Sequence, residues 1–147
     1  MKETEGITEI QIDTLGYYVD RALNVMVKKL NKTFTERNID LQHSQYTILK
    51  VLWSKDGLSQ SQLSKILGKD PAAICRALNY LEQKGYIVRK SRDSKTNGVY
   101  LTEYASDRKD DIEQVADFIT ESATEGMTEH QRNMTAQLLT KIYNNLK

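Results

Sequence analysis

The sequence predicts a mainly α-helical fold carrying one small β-hairpin, with elements in the order α-α-α-α-β-β-α-α. Three observations predict it. Apolar residues recur at three- and four-residue steps near both ends of the chain, the spacing that lays a stripe along one side of a helix. Five of the seven glycines (Gly57, Gly68, Gly85, Gly98 and Gly126) fall where these patterns change, with helix-capping residues close by. Two short β-branched and aromatic runs, 86–90 and 98–102, flank a polar stretch at 91–97.

The first helix is expected over residues 7–37, with Leu15, Val19, Ala22, Leu23, Met26, Leu30 and Phe34 as its stripe. Gly16 weakens it locally, since glycine costs about 1 kcal/mol against alanine inside a helix. Asn38-Ile39-Asp40 break the pattern, and a second helix over 42–55 buries Tyr46, Leu49, Val51, Leu52 and Trp53 before stopping at Asp56-Gly57. Ser59 opens a third helix through a capping box with Gln62. Leu63, Ile66 and Leu67 form its inward face, and Gly68 ends it. Asp70 caps the fourth helix and Pro71 takes its first position, where no amide donor is missed. Ile74, Leu78 and Leu81 point inward from it, and Gly85 terminates it.

The two β runs form a hairpin. Asn97-Gly98 is by itself a two-residue turn signal. A turn there would leave 91–96 as a strand with no apolar face, so a longer loop centred on Asp93 is expected. Two helices close the chain, over 103–124 and 128–146. Their stripes are Ile112, Val115, Ala116, Ile119 and Ala123, then Met134, Leu138, Leu139, Ile142 and Leu146. Gly126 separates them, and Thr128 with Gln131 forms another capping box.

Composition narrows the function classes. With 147 residues, 39% hydrophobic and 28% charged, the chain reads as a single globular domain, 1–147. No apolar run approaches the roughly 18 residues of a membrane span, and the acidic, polar start lacks a secretory pattern, so a cytoplasmic location and no membrane partner are expected. One cysteine excludes an internal disulfide, and His43 and His130 lack metal-ligand spacing. No cofactor is expected. Enzymatic function has no support, because no paired carboxylates, nucleophile elbow or phosphate-binding glycine loop stands out. The net charge of +1 is unevenly spread: residues 1–54 sum to zero, 55–104 carry 9 basic and 5 acidic side chains, and 105–147 carry 5 basic and 8 acidic. A polyanion is attracted to the middle segment alone.

Two short capped helices on a tight turn, followed by a basic β-ribbon, make a winged helix-turn-helix over 40–102. This arrangement offers one helix to the DNA major groove and a ribbon to the backbone or minor groove. On the fourth helix the inward residues leave Ala72, Ala73, Cys75, Arg76 and Asn79 outside, mostly in the N-terminal half that contacts base edges. Arg76 is the leading candidate, because arginine can hold guanine O6 and N7 with two hydrogen bonds. Ser59, Gln60 and Ser61 stand at a helix start where free amides and hydroxyls bind phosphate, although Ser59 serves equally well as a plain cap. Arg89, Lys90, Arg92 and Lys95 are the wing's cations. Cys75 could sense oxidants at the DNA surface, but a small packed residue is the simpler reading.

These features together resemble the MarR (multiple antibiotic resistance regulator) family of bacterial transcription factors. The residues that carry the resemblance are Leu58-Ser-Gln-Ser-Gln-Leu63, Leu81-Glu-Gln-Lys-Gly-Tyr-Ile87, Val99-Tyr-Leu-Thr-Glu103, Gly126-Met-Thr-Glu-His130 and Tyr143-Asn-Asn-Leu146, and the order and spacing match over about residues 10–147. The resemblance implies a homodimer, with 7–37 and 103–147 intertwined as a dimerisation base beneath two reader lobes. It implies repression at pseudo-palindromic operators on double-stranded DNA. It also implies release by a small, commonly aromatic effector bound between base and reader. Tyr17, Tyr18, Tyr46 and Trp53 are the aromatic candidates for that pocket, with core packing the competing role for each. The chain departs from the family wing, which carries Asp-x-Arg, by having Asp93-Ser94-Lys95. Lysine keeps the charge but lacks the planar guanidinium suited to a narrow groove, and Arg92 stands next door as a substitute. The alternative function is a winged helix that binds protein and does not read DNA.

Overall fold

The computed structural model describes residues 14–93 and 95–147. It contains α1 (Leu15–Glu36), α2 (His43–Ser54), α3 (Gln60–Leu67), α4 (Pro71–Gln83), β1 (Ile87–Ser91), β2 (Asn97–Leu101), α5 (Glu103–Ala123) and α6 (Glu129–Leu146). This is the predicted order, a mainly helical fold with one hairpin. Residues 7–13 of the expected first helix lie outside the described residues.

Local chemistry sets the boundaries. Ser59 and Gln62 close a reciprocal capping box on α3, and Thr128 and Gln131 close another on α6. The Asp70 side chain caps α4, with Pro71 at its first position. Between α1 and α2, Asn38 adopts a left-handed conformation (φ 58°), and Ile39 N–H returns to the Phe34 carbonyl at 2.9 Å. The hairpin pairs Ile87 with Leu101 through Ser91 with Asn97. Gly98 therefore lies within β2, and the loop at 92–96 is the long one expected. Asp93 organises it, its carboxylate accepting the N–H groups of Lys95 (2.9 Å) and Thr96 (2.8 Å).

The core lies under the reader and extends between α1 and α5. Phe34, Ile48, Leu49, Leu52, Leu63, Leu78, Leu81, Tyr86, Ile87, Ile112 and Val115 are essentially inaccessible. A Lys50–Glu113 ion pair at 3.0 Å joins α2 to α5 near the surface. Tyr86 is fully buried and donates from its hydroxyl to the Asp40 carboxylate at 2.6 Å, while Tyr80 donates to the Asp40 backbone carbonyl at 2.7 Å. Burial, then the bond to Asp40, pushes ionisation of Tyr86 well above the usual phenol range. The α1–α2 link is thereby tied to the end of the fourth helix.

Three details differ from expectation. Ile66 is 54% exposed, whereas Leu63 is buried and Leu67 half-buried. Residues four apart share a face more closely than residues three apart, and this two-turn helix has room for one narrow face only. Ala123, at the end of α5, is exposed as well. The chain also forms a pairing not anticipated: Leu58 bridges Val99, with Val99 N–H donating to the Leu58 carbonyl at 2.8 Å and Gly57 N–H to the Val99 carbonyl at 2.9 Å. The wing thus has a third rung at the entry to α3.

The third rung depends on glycine. Gly57 has φ +80°, and a Cβ there would sit 2.9 Å from Cε1 of Tyr100. Gly57→Ala is expected to destabilise the fold by about 1–3 kcal/mol through left-handed strain and displacement of the ring. Urea unfolding measures it, and a midpoint equal to wild type would contradict this account.

The α1 stripe is buried at Leu30 and Phe34 but uncovered in its N-terminal part, and the α6 stripe is uncovered along most of its length. Leu15, Val19, Leu23 and Met26 on α1 are all at least 38% exposed, and no residue of α6 is buried, Leu138 standing at 53%. The Tyr143 hydroxyl donates to the Lys65 carbonyl at 3.2 Å, linking α6 to the end of α3.

Candidate nucleic-acid interface

The fourth helix (α4) presents one face to the core and the other to solvent. Ile74, Ala77, Leu78 and Leu81 are buried. Ala72, Arg76 and Asn79 are exposed, and Ala73 and Cys75 are half-buried beside them. Arg76 has no hydrogen bond or ion pair to any described residue, so its guanidinium is available in full. Asn79 is engaged: its Oδ1 accepts from Arg89 Nη2, and its Nδ2 lies 3.9 Å from Cys75 Sγ.

At the start of α3, Ser59 is buried and occupied by capping. Its Oγ accepts Gln62 N–H at 3.1 Å, and its own N–H donates to Gln62 Oε1 at 2.9 Å. Ser61 is exposed and Gln60 half-buried. The wing's four cations have different surroundings. Arg89 is half-buried, bonded to Asn79 and 3.7 Å from the Glu82 carboxylate. Arg92 donates to Gln62 Oε1 at 2.6 Å. Lys90 Nζ lies 4.5 Å from the centre of the Tyr100 ring, and Lys95 is exposed. Backbone N–H groups from Lys95 and Thr96, and the nearby Arg92 charge, hold the Asp93 carboxyl below its ordinary value.

Arg89 thus lies against α4 and Arg92 against α3, while Lys90, next to Arg89 on β1, faces the Tyr100 ring instead. Gln62 and Glu82, which orient two of those cations, were absent from the expected set. Gln62 was visible as a capping residue, but its bond to Arg92 spans 30 positions and no local signal carries it.

A separate cleft of about 150 Å³ opens between α1, α2 and α5, lined by Leu23, Met26, Val27, Leu30, His43, Tyr46, Ala116, Ile119 and Thr120. Of the four aromatic candidates only Tyr46 lines it. Tyr17 and Tyr18 lie edge to face near the N-terminal end of α1 with Arg21 over both rings. Trp53 packs against the core from the far end of α2, its Nε1 buried without a hydrogen-bond partner among the described residues.

His43 was not among the pocket candidates. Burial and the positive charge of Lys69 push its pKa below the ordinary value of 6.5. The unfolded chain then binds this proton more tightly than the folded one. Stability contributed here is present above pH 6.5 and is lost as pH falls from there through the lower folded value. His43→Gln is expected to flatten that part of a stability–pH profile measured by urea unfolding. An unchanged slope between the two proteins would exclude His43 as its source.

Among the described residues no cluster of three or more His, Cys, Asp or Glu side chains could hold a metal ion, and no helix is long and apolar enough to cross a membrane.

Comparison with known proteins places this architecture. The sequence model of the MarR family matches residues 39–95. An HTH-type transcriptional regulator of Bacillus cereus is 30% identical over 117 residues, 78% of this chain and 78% of that protein. The Bacillus subtilis regulator YdgJ is 27% identical over 108 residues, 72% of this chain and 66% of its own length. Among solved structures, a MarR transcriptional regulator from Methanosarcina mazei superposes with TM-score 0.79 at 22% identity, covering 97% of this chain and 96% of that one. A MarR variant from E. coli, crystallised with operator DNA, gives 0.76 at 21% identity, covering 87% and 92%. CouR from Rhodococcus jostii, bound to p-coumaroyl-CoA, gives 0.78 at 23%, covering 88% and 91%. The family and these relatives are transcriptional regulators, not enzymes. With a winged helix-turn-helix fold, and relatives matched over most of its length, this chain belongs to the MarR family of DNA-binding transcriptional regulators.

Proposed function

We propose that the chain is a repressor that binds a pseudo-palindromic operator as a homodimer and releases it when a small aromatic effector binds. The observation that carries the DNA-reading part is Arg76, exposed and unpartnered in the N-terminal half of α4 beside a basic wing. Ala72, Ala73 and Cys75 line the same face and let the helix approach base edges closely. Gln60 and Ser61 at the start of α3, with Lys90 and Lys95 on the wing, meet phosphates.

Dimerisation is supported by apolar side chains left exposed at helical spacing on α1 (Leu15, Val19, Leu23, Met26) and α6 (Met134, Leu138, Leu139, Leu146). A second copy would bury them and bring two recognition helices to two half-sites. The effector reading rests on the apolar cleft between α1, α2 and α5, and on a neighbour of the same fold that holds an aromatic thioester.

Gel-shift titration with the DNA upstream of its own gene, against random DNA at two salt concentrations, tests the reading alongside size-exclusion chromatography. We expect a dimer at micromolar concentration and operator preference that persists as salt rises. A monomer, or equal affinity for both DNAs, would sink the two-half-site model and favour a protein-binding module.

A further inference from the structure

The wing's four cations divide into two kinds by what they touch. Arg92 Nη1 donates to Gln62 Oε1 at 2.6 Å and reaches the Gly57 carbonyl at 3.5 Å. That Gln62 oxygen also accepts Ser59 N–H, so the guanidinium joins the capping box that starts α3. Gly57 in turn pairs with Val99 of β2. Arg89 binds Asn79 and lies beside Glu82, both on α4. One arginine ties the wing to α3 and the other ties it to α4. Neither lysine ammonium has an oxygen partner among the described residues.

Residue chemistry matches this division. A guanidinium is a planar fork of donors that can hold several oxygens in a set geometry, whereas an ammonium is a compact point charge on a flexible stem. Arg89 and Arg92 each have part of the guanidinium held in a set direction by these internal bonds. The Lys90 and Lys95 ammonium groups are held by no oxygen among the described residues.

We propose that Arg89 and Arg92 are positioning residues, holding the wing at a fixed angle to α3 and α4, while the wing's phosphate contacts belong to Lys90 and Lys95. The proposal rests on the DNA reading given above. It makes the Asp93-Ser94-Lys95 sequence intelligible: Arg92 does not replace a missing groove arginine but braces the loop that carries Lys95.

A salt series on operator and random DNA separates the roles, with each variant first checked for a native thermal melt. Lys95→Ala is expected to weaken both DNAs and lower the slope of log K against log salt by about 0.9 per bound copy. Arg92→Ala should leave that slope unchanged and lose about tenfold in operator preference, the scale of one directed hydrogen bond to a charged group. Arg92→Lys, which keeps the charge, should not restore the preference, and Gln62→Ala, which removes no charge, should reproduce the loss. Arg89→Lys is expected to behave as Arg92→Lys does. A lower slope in Arg92→Ala, or wild-type behaviour of Arg92→Lys, would overturn the assignment. If wild type itself lacks operator preference, the specific-repressor reading fails, while the slopes on random DNA still decide between bracing and contact.

Discussion

Arg76→Ala is expected to reduce the preference for operator over random DNA by about 5-fold to about 150-fold at each half-site. That range follows from the roughly 1–3 kcal/mol that a bidentate arginine–guanine contact contributes to discrimination. Asn79, one turn further along the same face of α4, is already engaged with Arg89. In the N-terminal half of α4, Arg76 combines exposure, length and a guanidinium bonded to no described residue. The fold should not notice the change, since surface substitutions away from special features stay within about 0.5 kcal/mol. Competition gel shifts read the preference and urea melts read the stability. An unchanged preference would remove Arg76 from the recognition set, and a lowered melt would mean its role is structural.

The second large effect is on stability. Leu78 sits in the middle of α4 with no accessible surface, on the face opposite Arg76. Leu78→Ala should cost about 2–5 kcal/mol, the sum of lost transfer free energy and the cavity left behind. Against a total of about 5–15 kcal/mol this is a large fraction. The urea midpoint should drop with little change in slope, because the extent of surface exposed on unfolding is nearly the same. A loss below about 1 kcal/mol would mean that the core collapses around the gap. The two substitutions lie two residues apart yet act on different properties, since a helix turns about 100° per residue.

Much of the architecture was legible in the chain because its determinants are local. A capping box needs four consecutive residues, and both that were expected, at Ser59 and Thr128, form as read. The choice of a long wing loop over an Asn97-Gly98 turn came from asking which residues would have an apolar face, and the register from Ile87–Leu101 to Ser91–Asn97 agrees. The exposed face of α4 followed by subtraction once Ile74, Leu78 and Leu81 were assigned inward.

What escaped the sequence involves partners far apart along it. Nothing near Leu58 announces its bridge to Val99, because one residue has no period. Four basic wing residues look alike as letters, yet two are bonded inside the reader and two are not. Ile66 failed for a related reason: apolar identity says that burial is favourable, not that a neighbour is there to provide it. Tyr46 reached the cleft where Tyr17, Tyr18 and Trp53 did not, since only the packing of α1, α2 and α5 decides which aromatic side chains converge.

The sequence by itself determined the element order, the capped ends of α3, α4 and α6, the outward face of α4 and the family. Each of these depends on periodicity, capping or turn chemistry within a few residues. Only the tertiary structure decided which cations lack an oxygen partner among the described residues, where the third rung forms, and that the stripe of α6 and the N-terminal part of the α1 stripe lie uncovered. Those outcomes depend on distances between residues tens of positions apart, which exist only after the core has closed and fixed the directions in which side chains can reach.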